Sequence, residues 1–373
     1  MWSSSLNLKE RESRSRDPGL KSEVHPISHR YLQKKASGFD WAPEYELESK
    51  RVLTKLALPQ QFSFEDNGDD RPAKMPAEVR LKSEAVQELS KLKPYRGLFQ
   101  VAFEWSIVFA LILAQKFLLP IWTYPITLLL IATRQHALGI LLHDAVHFLL
   151  LKNRRWNDLL ADWLVAFPLL ISTYGYRREH FAHHKWTGSQ KDPDWVRTQV
   201  PHYTQTKSPT QLFKKIALYL AGVFSIRDTI EALYTYKLSV DLSKAANISR
   251  LAFVAVVLGI FYHFNLWWDY LFYWFFPMFF GLFGLLYFRL KAEHEGIPAT
   301  KYLNTRTVIP NRLEKILISP NNVNYHLEHH LYPNVPFYRL PSLHSKLREL
   351  EVFNKNAQIT LGYFSGFVRE LSN

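Results

Sequence analysis

Hydrophobic positions in this chain gather into four main runs, and polar ones fill the segments that flank them. The first run, Phe99 to Leu119, matches a bilayer-spanning helix, which needs about 20 apolar residues. Pro120, Trp122 and Tyr124 follow as a turn bearing the aromatics favoured at a membrane–water interface, and Ile121 to Leu142 is the second run. Leu251 to Phe264 and Trp267 to Leu290 repeat the arrangement later. Runs so closely paired predict two helical hairpins, four crossings in all. Leu159 to Ile171 is broken by Asp162 and Pro168, and Leu212 to Ile226 carries Lys214 and Lys215. Both are expected to lie in the interface rather than to cross.

Charge gives the crossings a direction. No Lys or Arg stands between Lys116 and Arg134 or between Arg250 and Arg289, and Asp269 is the single charge in either stretch. Basic residues crowd the other loops, so both hairpin turns are expected outside and both termini in the cytosol. Within the second crossing Arg134 is costly unless paired, and Glu104 of the first crossing is the expected partner. The fold class that follows is an all-α integral membrane protein, four transmembrane helices in two hairpins with a cytosolic helical cap. A polar extension covers residues 1–95, a membrane domain 96–350, and a cytosolic tail 351–373. The first thirty or so residues are expected to be disordered, and Pro76 to Leu92 to form a short charged helix approaching the membrane.

Composition sharpens this reading. At 47% hydrophobic and 15% aromatic, with 11 Trp and 26 Phe in 373 residues, the chain is heavy for a soluble protein with such polar ends. The lack of cysteine excludes disulfides, thiolate ligands and cysteine-bound iron–sulfur clusters. A net charge of +13 raises nucleic acid as a partner, but no recognised binding motif accompanies it. Anionic lipid headgroups explain basic residues beside membrane segments, and the same surface can steer an acidic electron carrier. The opening residues lack the apolar core of a secretory leader, and no HPGG haem signature or glycine-rich dinucleotide fingerprint is visible. A reducing partner would therefore be a separate protein.

The candidate chemistry lies in three histidine clusters: His143 and His147; His180, His183 and His184; His326, His329 and His330. Spacings of three and four put the members of a cluster near one face of a helix. A single HxxxH is more often a surface or core pair than a ligand set. Two HxxHH doublets and an HxxxH in one chain are not readily explained that way. Neutral imidazole binds Fe, Zn, Cu and Ni, and eight ligands, or nine with His294, suit two ions rather than one. All the clusters fall on the cytosolic side of the expected topology. His136, His202, His263 and His344 stand outside clusters and are read as packing residues, and His25 and His29 as exposed. The aromatic run from Phe261 to Phe280 is read as packing and lipid-facing surface.

From about Phe99 to Leu350 the chain resembles the membrane-bound fatty acid desaturase and hydroxylase superfamily. The resemblance rests on Arg134-Gln135-His136-Ala137-Leu138 before the first box and on His180 to Trp195, including Thr187-Gly188 and Asp192-Pro193-Asp194. Its strongest part is Asn324-Tyr325-His326-Leu327-Glu328-His329-His330-Leu331-Tyr332-Pro333, continued by Val335-Pro336-Phe337-Tyr338-Arg339-Leu340-Pro341. It implies a di-iron site ligated by His143, His147, His180, His183, His184, His326, His329 and His330. His294, in Ala292-Glu293-His294-Glu295-Gly296, matches a ninth ligand. Asp144, Asp192, Asp194, Glu293 and Glu328 are candidates to orient those rings.

The leading expectation is an O2-dependent oxidoreductase that places a double bond in the acyl chain of a lipid or acyl thioester. Its electrons would come from a ferredoxin-type or cytochrome b-type donor. Hydroxylation or ketolation of an acyl lipid or carotenoid is the close alternative. A divalent-metal transporter is the alternative of another class, although its ligands should lie within the crossings. A zinc peptidase is disfavoured, because Asp144 stands where its motif needs Glu.

Overall fold

The computed structural model describes residues 75–93, 95–194, 203–235, 244–297 and 302–372. Most of the expected N-terminal extension, His25, His29, Trp195 and His202 lie outside these residues. Among the described residues the chain is mostly helical. A short helix, α1 (Ser83–Leu89), precedes α2 (Arg96–Phe117) and α3 (Tyr124–Val146). Then come α4 (Arg154–Ala161), α5 (Thr173–Trp186), α6 (Pro209–Leu220), α7 (Ser225–Thr235) and α8 (Lys244–Phe264). The long helix α9 runs Trp267–His294 through two π-turns, Leu271–Phe275 and Met278–Leu282. Pro277 between the turns has no N–H to donate, which accounts for the interrupted α-helical ladder.

Among the described residues four helices are long and apolar enough to cross a membrane: Arg96–Phe117, Ile121–Val146, Ala246–Phe264 and Trp267–His294. They are the four runs read from the sequence, but the second and fourth extend further. Helical hydrogen bonding continues beyond the last apolar residue, so His143 and His294 lie within the span helices rather than after them. The two pieces expected in the interface do not form long helices. The first is split among α4, a π-turn at Asp162–Ala166 and a turn, and the second ends with α6 and the start of α7.

The central span, α3, is buried along most of its length, while the apolar residues of the third span remain uncovered by protein. α3 packs on α2, where Arg134 Nη1 meets Glu104 Oε2 at 3.1 Å with both side chains buried, as expected. It also packs on the middle of α9. Tyr124 Oη donates to the Phe272 carbonyl at 2.6 Å and the Gln135 amide to that of Trp274 at 2.7 Å. Lys116, at the end of α2, meets Asp269, at the start of α9, at 2.6 Å.

After α9 a parallel strand pair, β1 (Arg306–Ile309) with β2 (Gln358–Leu361), runs in the register Arg306↔Gln358, an addition to the helices that were expected. Between the strands lie α10 (Arg312–Leu317), α11 (His326–Leu331), α12 (Leu340–Arg348) and α13 (Glu351–Asn356). Residues 351–372, set apart by sequence as a tail, are folded, and Phe353, Tyr363 and Phe367 are fully buried. Among the described residues before α2, Ala77–Val79 form a 3-10 turn and Ser83–Leu89 form α1, and this segment is anchored to the third box. Tyr332 Oη donates to the Val79 carbonyl and accepts from the Leu81 amide.

Candidate metal centre

Each histidine box takes its geometry from one helical turn. Successive residues on a helix point about 100° apart, so residues i and i+4 share a direction and the residue just before i+4 points elsewhere. On α5, His180 and His184 therefore face one way and His183 another. On α11, His326 and His330 face one way and His329 another. The doublets follow this rule. His143, His147, His180, His184 and His329 form one group, and His183, His294, His326 and His330 a second. Within each group the donor atoms lie within 4.8 Å of one another. All nine histidines singled out by sequence are brought together, with His294 of α9 completing the second group. The groups abut, the His184 and His330 rings stacking with centroids 4.4 Å apart.

The proton positions can be worked out at two rings. His294 Nδ1 lies 3.1 Å from the Asn304 carbonyl, which can only accept, so Nδ1 carries the proton. His183 Nδ1 lies 2.9 Å from Asp192 Oδ1, with the same consequence when the ring is neutral. Both rings then turn an Nε2 lone pair inward. His294 Nε2 meets His326 Nε2 at 2.9 Å, His326 Nε2 meets His330 Nε2 at 3.1 Å, and His330 Nε2 meets His183 Nε2 at 3.2 Å. In the five-membered group His180 Nε2 is 2.8 Å from His147 Nε2, and His184 Nε2 is 3.0 Å from both His180 and His329. One N–H per ring cannot satisfy so many nitrogen–nitrogen contacts, whereas a cation among the lone pairs can. Two nitrogens bound at right angles to a first-row ion, each about 2.0–2.1 Å from it, are about 2.9 Å apart. The donor set and its spacing fit two metal ions.

The electrostatics agree. Burial, followed by the neighbouring imidazoles, holds His180, His184, His326, His329 and His330 well below the usual imidazole range, so they stay neutral. Burial with His143 and Arg177 does the same to His147. At His183 burial also disfavours charge, but Asp192 and Asp194 outweigh it and raise the ring to about 9. The four-histidine group thus has a pull toward positive charge that a cation would also answer.

Of the five candidate orienting carboxylates, Asp192 makes the hydrogen bond to a box histidine and Asp194 lies 3.5 Å from the same ring. Glu293 is 3.8 Å from His326 Nδ1. Asp144 Oδ1 is 4.0 Å from His143 Nδ1, and its Oδ2 accepts from the Phe337 amide at 2.9 Å, which ties the first box to the segment after the third. Fully buried Glu328 accepts from Thr307 Oγ1 at 2.5 Å and contacts His344 Nδ1 at 2.6 Å. His344 therefore supports α11, a role its isolated position in sequence concealed. Arg177 was also missed. From α5 it donates to the carbonyls of Ala145 and Val146 at the end of α3, and it grips Asp158 with two nitrogens.

A cavity of about 240 Å³ reaches the centre. Ile140, Met278, Leu282 and Leu286 give it apolar walls, and His143, His180, His183, His294 and His326 border it. The π-turn at Met278–Leu282 thus shapes one wall. A slender apolar molecule placed there would lie beside both histidine groups.

Residues 119–360 match the fatty acid desaturase family. Dihydrorhizobitoxine desaturase of Bradyrhizobium elkanii is 29% identical over 278 residues, 70% of this chain and 78% of that protein. Delta(5) fatty acid desaturase fat-4 of Caenorhabditis elegans is 24% identical over 328 residues, 79% and 71% respectively. A match over most of the chain, enclosing all three histidine boxes and His294, makes this protein a member of the fatty acid desaturase family, a desaturase-type oxidoreductase of membranes.

Proposed function

We propose that the protein is an O2-dependent di-iron desaturase that introduces a double bond into an acyl chain carried by a lipid or acyl thioester. The observation that carries this reading is the sorting of nine imidazoles into two groups beside a largely apolar cavity. His143, His147, His180, His184 and His329 would hold one iron, and His183, His294, His326 and His330 the other. When bound, iron supplies the oxidising power that side chains lack for an unactivated methylene. The chain itself positions and excludes. Asp192 keeps the His183 proton on Nδ1 and its Nε2 free, Asn304 does the same for His294, and the apolar walls keep water from the substrate.

The electrons balance with an external donor. Two C–H bonds give up two electrons and two protons, the donor supplies two more electrons, two protons come from solvent, and O2 leaves as two waters. A ferredoxin-type or cytochrome b-type protein fits the donor role. The Lys116–Asp269 ion pair puts the α2–α3 and α8–α9 turns at one end of the molecule, which supports two hairpins with turns outside and a cytosolic metal centre. The relatives' names give two substrates, dihydrorhizobitoxine and a fatty acid, so the acyl assignment here rests on the apolar walls. Clustering at one end of the spans is a poor arrangement for a metal transporter, whose ligands must line a path across them.

Hydroxylation needs the same initial loss of hydrogen and is separated by the product. With reduced donor and isotopic O2, mass spectrometry should show an acyl product lighter by two hydrogens and free of label. Labelled oxygen in the main product makes the enzyme a hydroxylase, and altered carotenoids with unchanged acyl chains move the substrate.

A further inference from the structure

The wall of the cavity is not apolar throughout. Gln135 and His136 border it, and both are buried, at 0% and 1% exposure. The Gln135 amide nitrogen is committed to the Trp274 carbonyl at 2.7 Å, which fixes the orientation of the amide. Its Oε1 then has no hydrogen-bond partner among the described residues, nor does either nitrogen of the His136 ring. Buried polar groups are almost always paired, and unpartnered atoms on two adjacent residues that border a cavity call for a ligand. The surrounding wall is built to admit one. His136, Gly139, Ile140 and His143 all border the cavity along α3, and a Cβ on Gly139 would meet nothing within 4 Å.

Resting on the desaturase reading above, we propose that Gln135 and His136 form a polar subsite that recognises a hydroxyl group on the substrate chain. A hydroxyl suits such a pair of residues: it can donate to Gln135 Oε1 and accept from the N–H of a neutral imidazole. Its distance from the reacting carbon follows from the helix. His136 and His143 are seven residues apart on one face, about 10 Å along the axis at 1.5 Å per residue. An extended chain advances about 1.2 Å per bond, as a backbone does at ~3.6 Å per three-bond residue, so the hydroxyl lies roughly eight to ten bonds from the new double bond. A plain hydrocarbon tail would leave all three polar atoms buried against methylenes.

The test uses the full-length protein in phosphatidylcholine nanodiscs with a saturated fatty acid and a series of its monohydroxy analogues, the hydroxyl moved along the chain. Two quantities are read. The first is relative kcat/KM in direct competition with reduced donor present. The second is protection of Gly139→Cys from a small thiol reagent, a site free of background because the chain has no cysteine. Wild type should show a sharp optimum at one hydroxyl position, favoured over the plain chain roughly a hundredfold or more, as a site built to bond a hydroxyl discriminates. In His136→Phe, which leaves the Gln135–Trp274 hydrogen bond in place, the preference should reverse, with the plain chain used better than by wild type, a gain that an unfolded variant cannot give. Equal use and equal protection by all chains in wild type would overturn the subsite, with ordered water as its occupant, and this arm depends on no variant folding. Position-dependent protection without turnover of any chain would keep the subsite and sink the desaturase reading instead.

Discussion

Glu104→Gln should be among the most destabilising single changes in the membrane region, for a reason that can be worked from its surroundings. Glu104 is 1% exposed and Arg134 8%, so neither charge is hydrated. The carboxylate also accepts from Gln100 Nε2 at 2.9 Å, with Asn321 Nδ2 at 3.5 Å. Arg134 keeps two other partners, Thr133 Oγ1 at 3.1 Å and the Ile316 carbonyl at 2.5 Å, but both are neutral. Glutamine nearly preserves shape and removes the charge, leaving a buried guanidinium uncompensated. Loss of one partner from a buried pair costs about 3–5 kcal/mol, and the retained carbonyl argues for the lower end, about 3 kcal/mol. That is more than a hundredfold in the folded-to-unfolded ratio at about 1.4 kcal/mol per decade. Replacing both residues with leucine removes the charges together and should recover most of the loss, since a packed apolar pair often equals a buried ion pair. Unfolding free energies in mixed micelles for the wild type, both single variants and the double variant complete the cycle. Wild-type stability in Glu104→Gln, or a Glu104→Leu/Arg134→Leu variant worse than either single, would refute the argument. The effect should also reach the metal, because Asn321 donates to the Ala137 carbonyl and lies five residues before His326.

Elemental analysis should find about two irons per chain in the wild type, and about one in His183→Ala or in His184→Ala, because these adjacent residues serve different groups. His183→Ala/His184→Ala should hold none while still inserting, and zinc alone in an active preparation would end the di-iron reading. Single cysteines at Thr123 and Trp268 should react with an impermeant reagent from outside, and those at Ser189 and Asn321 only from the cytosolic side. Outside labelling at Ser189 would mean that an additional segment crosses.

The spans were legible because bilayer crossing depends on summed apolarity over a long window, which tolerates single polar residues such as Glu104 and Arg134. Their ends were less so, because backbone hydrogen bonding does not stop where polarity changes. The histidines were legible by type and spacing, and the division between groups follows from helical angles once α5 and α11 are known to be helices. The supporting contacts were not. His344 with Glu328, Arg177 with Asp158 and Asp144 with the Phe337 amide join residues 16, 19 and 193 positions apart, and no local pattern marks such pairs. The β1–β2 pair was hidden for a similar reason: two four-residue strands separated by some fifty residues leave no periodic signature.

The separation between the two histidine groups is set largely inside the membrane. α3 and its C-cap contribute His143 and His147 to the first group, and α9 contributes His294 to the second. α5 and α11 supply members to both and so bridge whatever gap the two long helices leave. That gap is narrow because the helices meet at small residues: a Cβ built on Gly281 would stand 2.5 Å from that of fully buried Ala132. Hydrogen bonds at Tyr124–Phe272 and Gln135–Trp274 fix how far one helix can slide along the other. Packing density makes such a contact stiff, so the group-to-group distance inherits its precision from the α3–α9 seam rather than from the short helices beyond it. Gln135 belongs to that seam and to the cavity wall at once. The residue that registers the helices also carries the acceptor of the proposed subsite, so one hydrogen bond links the placement of the histidine groups to that subsite.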